Sequence, residues 1–211
     1  MSQQLIINDH AFFAEERVAK LSLAVLLQDD FAPNKRTIGK VKVSIKEQHL
    51  QATQNLSGYY IFMDVLDGDY TIQVISDYYF NIEEEVTLPV PDPRNPVKSI
   101  TLIPVPYYPF PSGTTLVKGV VKDELSAQPV AGANVRILNP EVGSRTTKKG
   151  EFALYFTGLK EQDVIKVNKK KYVKGDTNQN LTLEIIHPDY ADKQVNIEVE
   201  ENKTTSITIT I

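Results

Sequence analysis

The sequence predicts an all-β fold of two tandem β-sandwich domains, and three observations carry that reading. The first is an internal repeat. Gly39-Lys-Val-Lys-Val-Ser-Ile45 is echoed by Gly132-Ala-Asn-Val-Arg-Ile-Leu138, and Ser57-Gly58-Tyr-Tyr-Ile-Phe62 by Lys149-Gly150-Glu-Phe-Ala-Leu154, at offsets of 93 and 92 residues. Residues 69–78 with 180–189, and 98–103 with 205–210, continue the match in the same order at offsets of 111 and 107. One insertion at 160–179 of the second copy explains the rise, so the chain is a duplicated β unit of roughly 90 residues. The second observation is alternation: Thr71-Ile-Gln-Val-Ile75 and Asn196-Ile-Glu-Val-Glu200 place apolar side chains on one face of a half-buried strand. The third is the placement of turn residues, with Gly58, Gly68 and Gly150 between such runs where a turn takes up positive φ.

Along the chain, residues 1–20 read as an amino-terminal tail or short helix, in which Asp9 caps a segment from Ala11 to Lys20. The first sandwich occupies 21–106. Eight of the 12 prolines fall between Pro89 and Pro111, and a proline cannot donate to a strand ladder. Within that stretch Val97-Lys-Ser-Ile-Thr-Leu-Ile103 is β-branched enough to form one closing strand. Residues 104–113 then read as extended, semi-rigid chain, and 107–113 as a proline- and aromatic-rich connector. The second sandwich occupies 114–211.

Composition limits the chemistry. Of 211 residues 41% are hydrophobic and 24% charged, as in ordinary globular chains. Zero cysteines remove disulfides, thiolate metal sites and cysteine nucleophiles together, and suit a reducing compartment. The net charge is −4, divided as −5 before residue 113 and +1 after it, which opposes general binding of nucleic acid. The uncharged start and the short apolar stretch from Leu21 to Leu27 match neither a secretory signal nor a membrane span, so the expected location is cytoplasmic with no membrane insertion.

The second copy contains Gly119-Val-Val-Lys-Asp123, Pro129-Val-Ala-Gly-Ala-Asn-Val135 and Thr146-Thr-Lys-Lys-Gly150-Glu-Phe-Ala-Leu154. These runs, spread over about forty residues, resemble the carboxypeptidase regulatory-like domains. The resemblance implies immunoglobulin/transthyretin-like β-sandwich domains and a non-catalytic role as a structural or adhesion module. Thr147 stands where that family more often has an aspartate. The first copy is similar more weakly, through Gly58-Tyr-Tyr-Ile-Phe62 and Leu66-Asp-Gly-Asp-Tyr70. The junction at 107–121 also resembles accessory proteins of contractile, phage-tail-like injection particles.

No catalytic constellation converges in the sequence. His10, His49 and His187 form no paired-histidine motif, and there is no Gly-x-Ser-x-Gly elbow. One enzyme family on the transthyretin-like fold ends in a tyrosine-arginine-glycine-serine motif, whereas this chain ends Thr208-Ile-Thr-Ile211. Asp64, Asp67 and Asp69, and the Asp176-Thr-Asn-Gln-Asn180 run, suggest calcium only until Leu181 and His187 are found where a loop of that kind needs glycine and a bidentate acid. The expectation is therefore no catalytic, cofactor-binding or metal-binding residues. The interaction candidates are Tyr78, Tyr79 and Phe80 at a strand end, Tyr107, Tyr108 and Phe110 in the connector, and Lys169, Lys170, Lys171 and Tyr172 in the insertion. The aromatics suit protein contacts, sugar stacking, or closure of the seam between the domains. The lysines suit a solvated hairpin tip that discourages edge pairing. The leading function is a structural or adaptor protein contacting protein partners in a larger assembly, with a carbohydrate-binding module as the alternative.

Overall fold

The computed structural model describes residues 19–175 and 178–211. Residues 1–18, which hold most of the proposed tail or helix and His10, lie outside the described residues, as do Asp176 and Thr177. Among the described residues the only helix is a single 3-10 turn, Glu161–Asp163, and all other regular structure is β.

The first eight strands are β1 (Leu21–Asp29), β2 (Val41–Ile45), β3 (Leu50–Gln51), β4 (Thr53–Gln54), β5 (Tyr60–Met63), β6 (Gly68–Ser76), β7 (Ile82–Leu88) and β8 (Val97–Leu102). They form two sheets, ordered β4-β5-β1-β8 and β3-β2-β6-β7. Strand β1 runs antiparallel to β5 and parallel to β8. The remaining strands are β9 (Thr115–Lys122), β10 (Asn134–Leu138), β11 (Glu141–Arg145), β12 (Glu151–Phe156), β13 (Val164–Val167), β14 (Lys170–Val173), β15 (Asn180–Ile186), β16 (Lys193–Glu198) and β17 (Thr204–Thr210). Their sheets run β12-β9-β17 and β11-β10-β15-β16, and again the first strand is antiparallel to one neighbour and parallel to the last. Each pair of runs matched in the sequence therefore takes the same place in the topology: β2 with β10, β5 with β12, β6 with β15, and β8 with β17.

Alternation explains the cores. Val43 and Ile45 of β2, and Ile72 and Val74 of β6, are buried while their neighbours reach solvent. Together with Leu23, Val25, Phe62, Ile100 and Leu102 they fill the space between the first two sheets. A second cluster, including Val117, Val121, Val135, Ile137, Phe152, Leu154, Leu183 and Ile209, fills the space between the other pair. No residue is shared between the two clusters.

The insertion is a separate two-stranded ribbon, β13 with β14. Its two-residue turn, Asn168-Lys169, has φ of 47° and 67°, the paired positive values of a tight hairpin that follows the right-handed strand twist. Entry to β12 depends on Thr146 and Thr147. The buried Thr146 hydroxyl accepts from Ala133 N–H at 2.9 Å and donates to the Val130 carbonyl at 2.7 Å. The Thr147 hydroxyl accepts from the N–H groups of Lys149 and Glu151, holding the turn with no carboxylate at that position.

Candidate functional site

Strand β1 has an apolar run from Leu23 to Leu27 and ends, after Gln28, on Asp29, which is only 1% exposed. A carboxylate taken out of water needs donors on both oxygens. Its Oδ1 accepts from the N–H groups of Phe31 and Ala32 at 2.9 and 3.2 Å, where the chain turns out of the strand. Its Oδ2 accepts the hydroxyls of Tyr79 at 2.8 Å and Tyr108 at 2.6 Å. The Tyr79 oxygen in turn accepts from Ile38 N–H at 3.2 Å. Burial, and then the Asp29 carboxylate beside it, push the Tyr79 hydroxyl up to about 12. The same two causes raise Tyr108. These groups hold their protons at neutral pH and act as fixed donors.

The next residue extends this network to the second half of the chain. Asp30 accepts the hydroxyl of Tyr155, which is raised by burial and then by that carboxylate. Around the pair, Phe31 meets Tyr108, Phe110 and Tyr155 edge-on, with centroids 5.7, 5.2 and 5.5 Å apart. Phe110 also lies 5.5 Å from Tyr155. The Lys118 ammonium sits 5.4 Å from the centre of the Phe110 ring. At the other end of the contact, the Arg145 guanidinium lies 4.8 Å over Phe80 and donates to the Asn81 carbonyl at 2.8 Å. Strands β9, β11 and β12 thus reach across to the turns after β1 and β6 and to the segment before β9. The seam combines an aromatic cluster, two cation–ring contacts and two hydrogen bonds.

The structure distributes the ten predicted interaction residues unevenly. Tyr79 and Tyr108 are 2% and 7% exposed, which corrects their assignment as surface contacts: their hydroxyls are needed to satisfy the buried Asp29. From the connector, Tyr108 enters the first core and Phe110 packs against it. Tyr78 is half-buried with its ring over the backbone of Gly39, where a Cβ would come within 2.5 Å. Phe80 and Phe110 serve the seam, while Tyr107 is 61% exposed. Lys169 occupies the ribbon's turn. Lys170 and Lys171 pair with Glu200 at 3.4 Å and Glu201 at 3.7 Å, and Tyr172 bridges to Glu200. Lys203 also holds Glu200, at 2.8 Å, and keeps its carboxyl below the usual range. This basic run is thus partly matched by acids of its own chain.

Sequence reasoning missed Asp29, Asp30, Phe31, Arg145 and Tyr155. The signal available was an acidic pair directly after an apolar strand. The sites tested for chemistry stay apart. His187 Nδ1 accepts from Asp189 N–H at 3.2 Å and its ring meets Tyr190 edge-on. Asp64 accepts from Lys20 N–H, and Asp69 from the Thr87 hydroxyl. Among the described residues no three histidine or acidic side chains form a metal-sized group. No helix of the described residues is long and apolar enough to cross a membrane.

No family profile and no curated protein matches the chain. Solved structures with similar chain traces include the TIE protein of Bacillus anthracis, at 14% identity and a TM-score of 0.32 over 90% of this chain. This chain spans 33% of that protein. The minor pilin GBS52 of Streptococcus agalactiae gives 13% identity and a TM-score of 0.31, over 90% of this chain and 95% of the pilin. A double mutant of the shaft pilin SpaA from Lactobacillus rhamnosus GG gives 10% and 0.30, over 89% and 96%. No role is carried from these proteins to this chain.

Proposed function

We propose that the protein is a non-catalytic structural element: two β-sandwich domains, divided near 107–113, locked at a fixed angle and presenting loops and strand edges to protein partners in a larger assembly. The observation that carries this reading is the seam. Polar and aromatic side chains with a ready chemical use are spent on holding one half of the chain against the other. Tyr79, Tyr108 and Tyr155 keep their protons, and among the described residues the buried acid Asp29 has no ion-pair partner.

Open edges support the same reading. Among the described residues, strands β8 and β17 each pair on one side only. Strand β17 carries no charged side chain and β8 only Lys98, whereas β7, another edge, carries Glu83, Glu84 and Glu85. Charge along an edge discourages an added strand, and its absence leaves backbone groups available to one. A contractile injection particle is the narrower form of the proposal and rests on the 107–121 junction alone. Purification from the native host with light scattering tests the reading. A stoichiometric complex with other proteins is expected, and a solitary monomer with no partner overturns it.

A further inference from the structure

Beside the seam, on the outer face of the β12-β9-β17 sheet, an open groove of about 600 Å³ runs between the two halves of the chain. That volume falls within the ~300–1,000 Å³ usual for small-ligand sites. Tyr107 stands at its rim, Lys118 and Gly119 lie along its floor, Ser206 and Thr208 form one side, and Lys149 and Glu151 the other. Gly119 turns its bare side inward, where a Cβ would lie 2.5 Å from the ring of the buried Phe152, so the outer floor is formed by Lys118 and Val120.

The available chemistry is specific. Strand β9 is paired on both sides, so the floor offers no free backbone ladder and an extended peptide cannot add to it as a strand. What remains are side-chain groups. Among the described residues, the hydroxyls of Ser206 and Thr208, the Glu151 carboxylate and the Lys149 ammonium have no hydrogen-bond or ion-pair partner. The Lys118 ammonium lies over the Phe110 ring, and among the described residues the Tyr107 ring, 61% exposed, has no ring partner. An exposed ring accepts the C–H face of a pyranose, because the ring face carries negative charge density and the C–H groups are slightly positive. Unpaired hydroxyls and one carboxylate exchange hydrogen bonds with sugar hydroxyls. Two ammonium groups against one carboxylate leave an excess positive charge that favours an anionic ligand.

We infer that this groove binds a uronate-bearing oligosaccharide, with a sugar ring on Tyr107, its hydroxyls toward Ser206, Thr208 and Glu151, and its carboxylate toward Lys118 and Lys149. The inference rests on the rigid-pair reading, because the groove lies between the two halves, but a stiff scaffold with an empty groove remains a stiff scaffold, so the two fail separately.

Isothermal titration of the full chain with tetragalacturonate, a hyaluronan tetrasaccharide, neutral tetragalactose and an aspartate-rich peptide tests it. At least one uronate oligomer is expected to bind, with the neutral sugar at least about tenfold weaker and the peptide silent. Tyr107→Ala should weaken uronate binding about tenfold with only a small change in thermal unfolding, because the residue is 61% exposed and lies outside both core clusters. Lys149→Gln should weaken the uronate and leave the neutral sugar unaffected. Silence with both uronates, peptide binding as tight as sugar binding, or affinity unaltered by Tyr107→Ala would each overturn the assignment.

Discussion

Asp29 decides how the first core ends. Its carboxylate gathers two part-buried backbone N–H groups and two buried tyrosine hydroxyls, so removing it strips four donors of their acceptor, two of them out of reach of water. Each unsatisfied buried group costs about 1–3 kcal/mol, and Asp29→Ala should lower unfolding free energy by at least ~3 kcal/mol in urea titration. Tyr108→Phe, which loses one bond to a charged acceptor, should cost about 1.5–3 kcal/mol. The tyrosines also set an alkaline limit. Tyr79 is raised to about 12 in the folded protein from an ordinary value near ~10, so between those values the folded state holds a proton that the unfolded state has released. The Tyr79 contribution is whole below pH ~10 and is lost as pH rises toward about 12, at up to roughly 1.4 kcal/mol per pH unit. Stability that stays flat across that window in wild type, or falls identically in Tyr79→Phe, would contradict this. The sequence marked Tyr79 as an aromatic at a strand end and Tyr108 as one in the proline-rich connector. It could not show them buried, because their burial depends on an acid fifty and seventy-nine residues away.

At the scale of elements, periodicity and repetition were sufficient to read the sheets. Paired runs such as 39–45 and 132–138 sit at the same topological position because the same alternation must cover the same kind of core. Repetition did not show where the copies diverge in tolerance. Gly58 and Gly150 begin equivalent strands with φ of 92° and 72°, yet a Cβ at Gly58 meets nothing within 4 Å while one at Gly150 comes within 2.4 Å of the Val121 carbonyl. Gly58→Ala should therefore cost about 1 kcal/mol of backbone strain, and Gly150→Ala about 3 kcal/mol once the collision is added. Comparable denaturation midpoints for the two variants would refute the difference. The ribbon offers the opposite change. Lys169 holds a positive φ of 67° after Asn168, and Lys169→Gly, which creates the favoured Asn-Gly turn, should stabilise by about 0.5–1 kcal/mol by thermal melting.

For the whole molecule, the question is whether two cores behave as one body. The proline cluster was legible from sequence, which left the aromatics beside it either to meet a partner or to close a seam; the structure has side chains clasped across a seam. The reason is physical: Lys118, Arg145 and Tyr155 come from three strands whose convergence on Asp30, Phe80, Asn81 and Phe110 exists only after both sandwiches have folded. Because the chain has no cysteine, two introduced ones are the only sites for spin labels. Gln54→Cys on β4 and Lys193→Cys on β16 place labels on exposed strands of opposite halves. Pulsed electron–electron resonance between them tests the central claim. A single narrow distance distribution is predicted, broadening when Tyr155→Phe and Arg145→Ala are combined. A wild-type distribution already as broad as the variant's would show that the halves move independently and that the protein is not a rigid element.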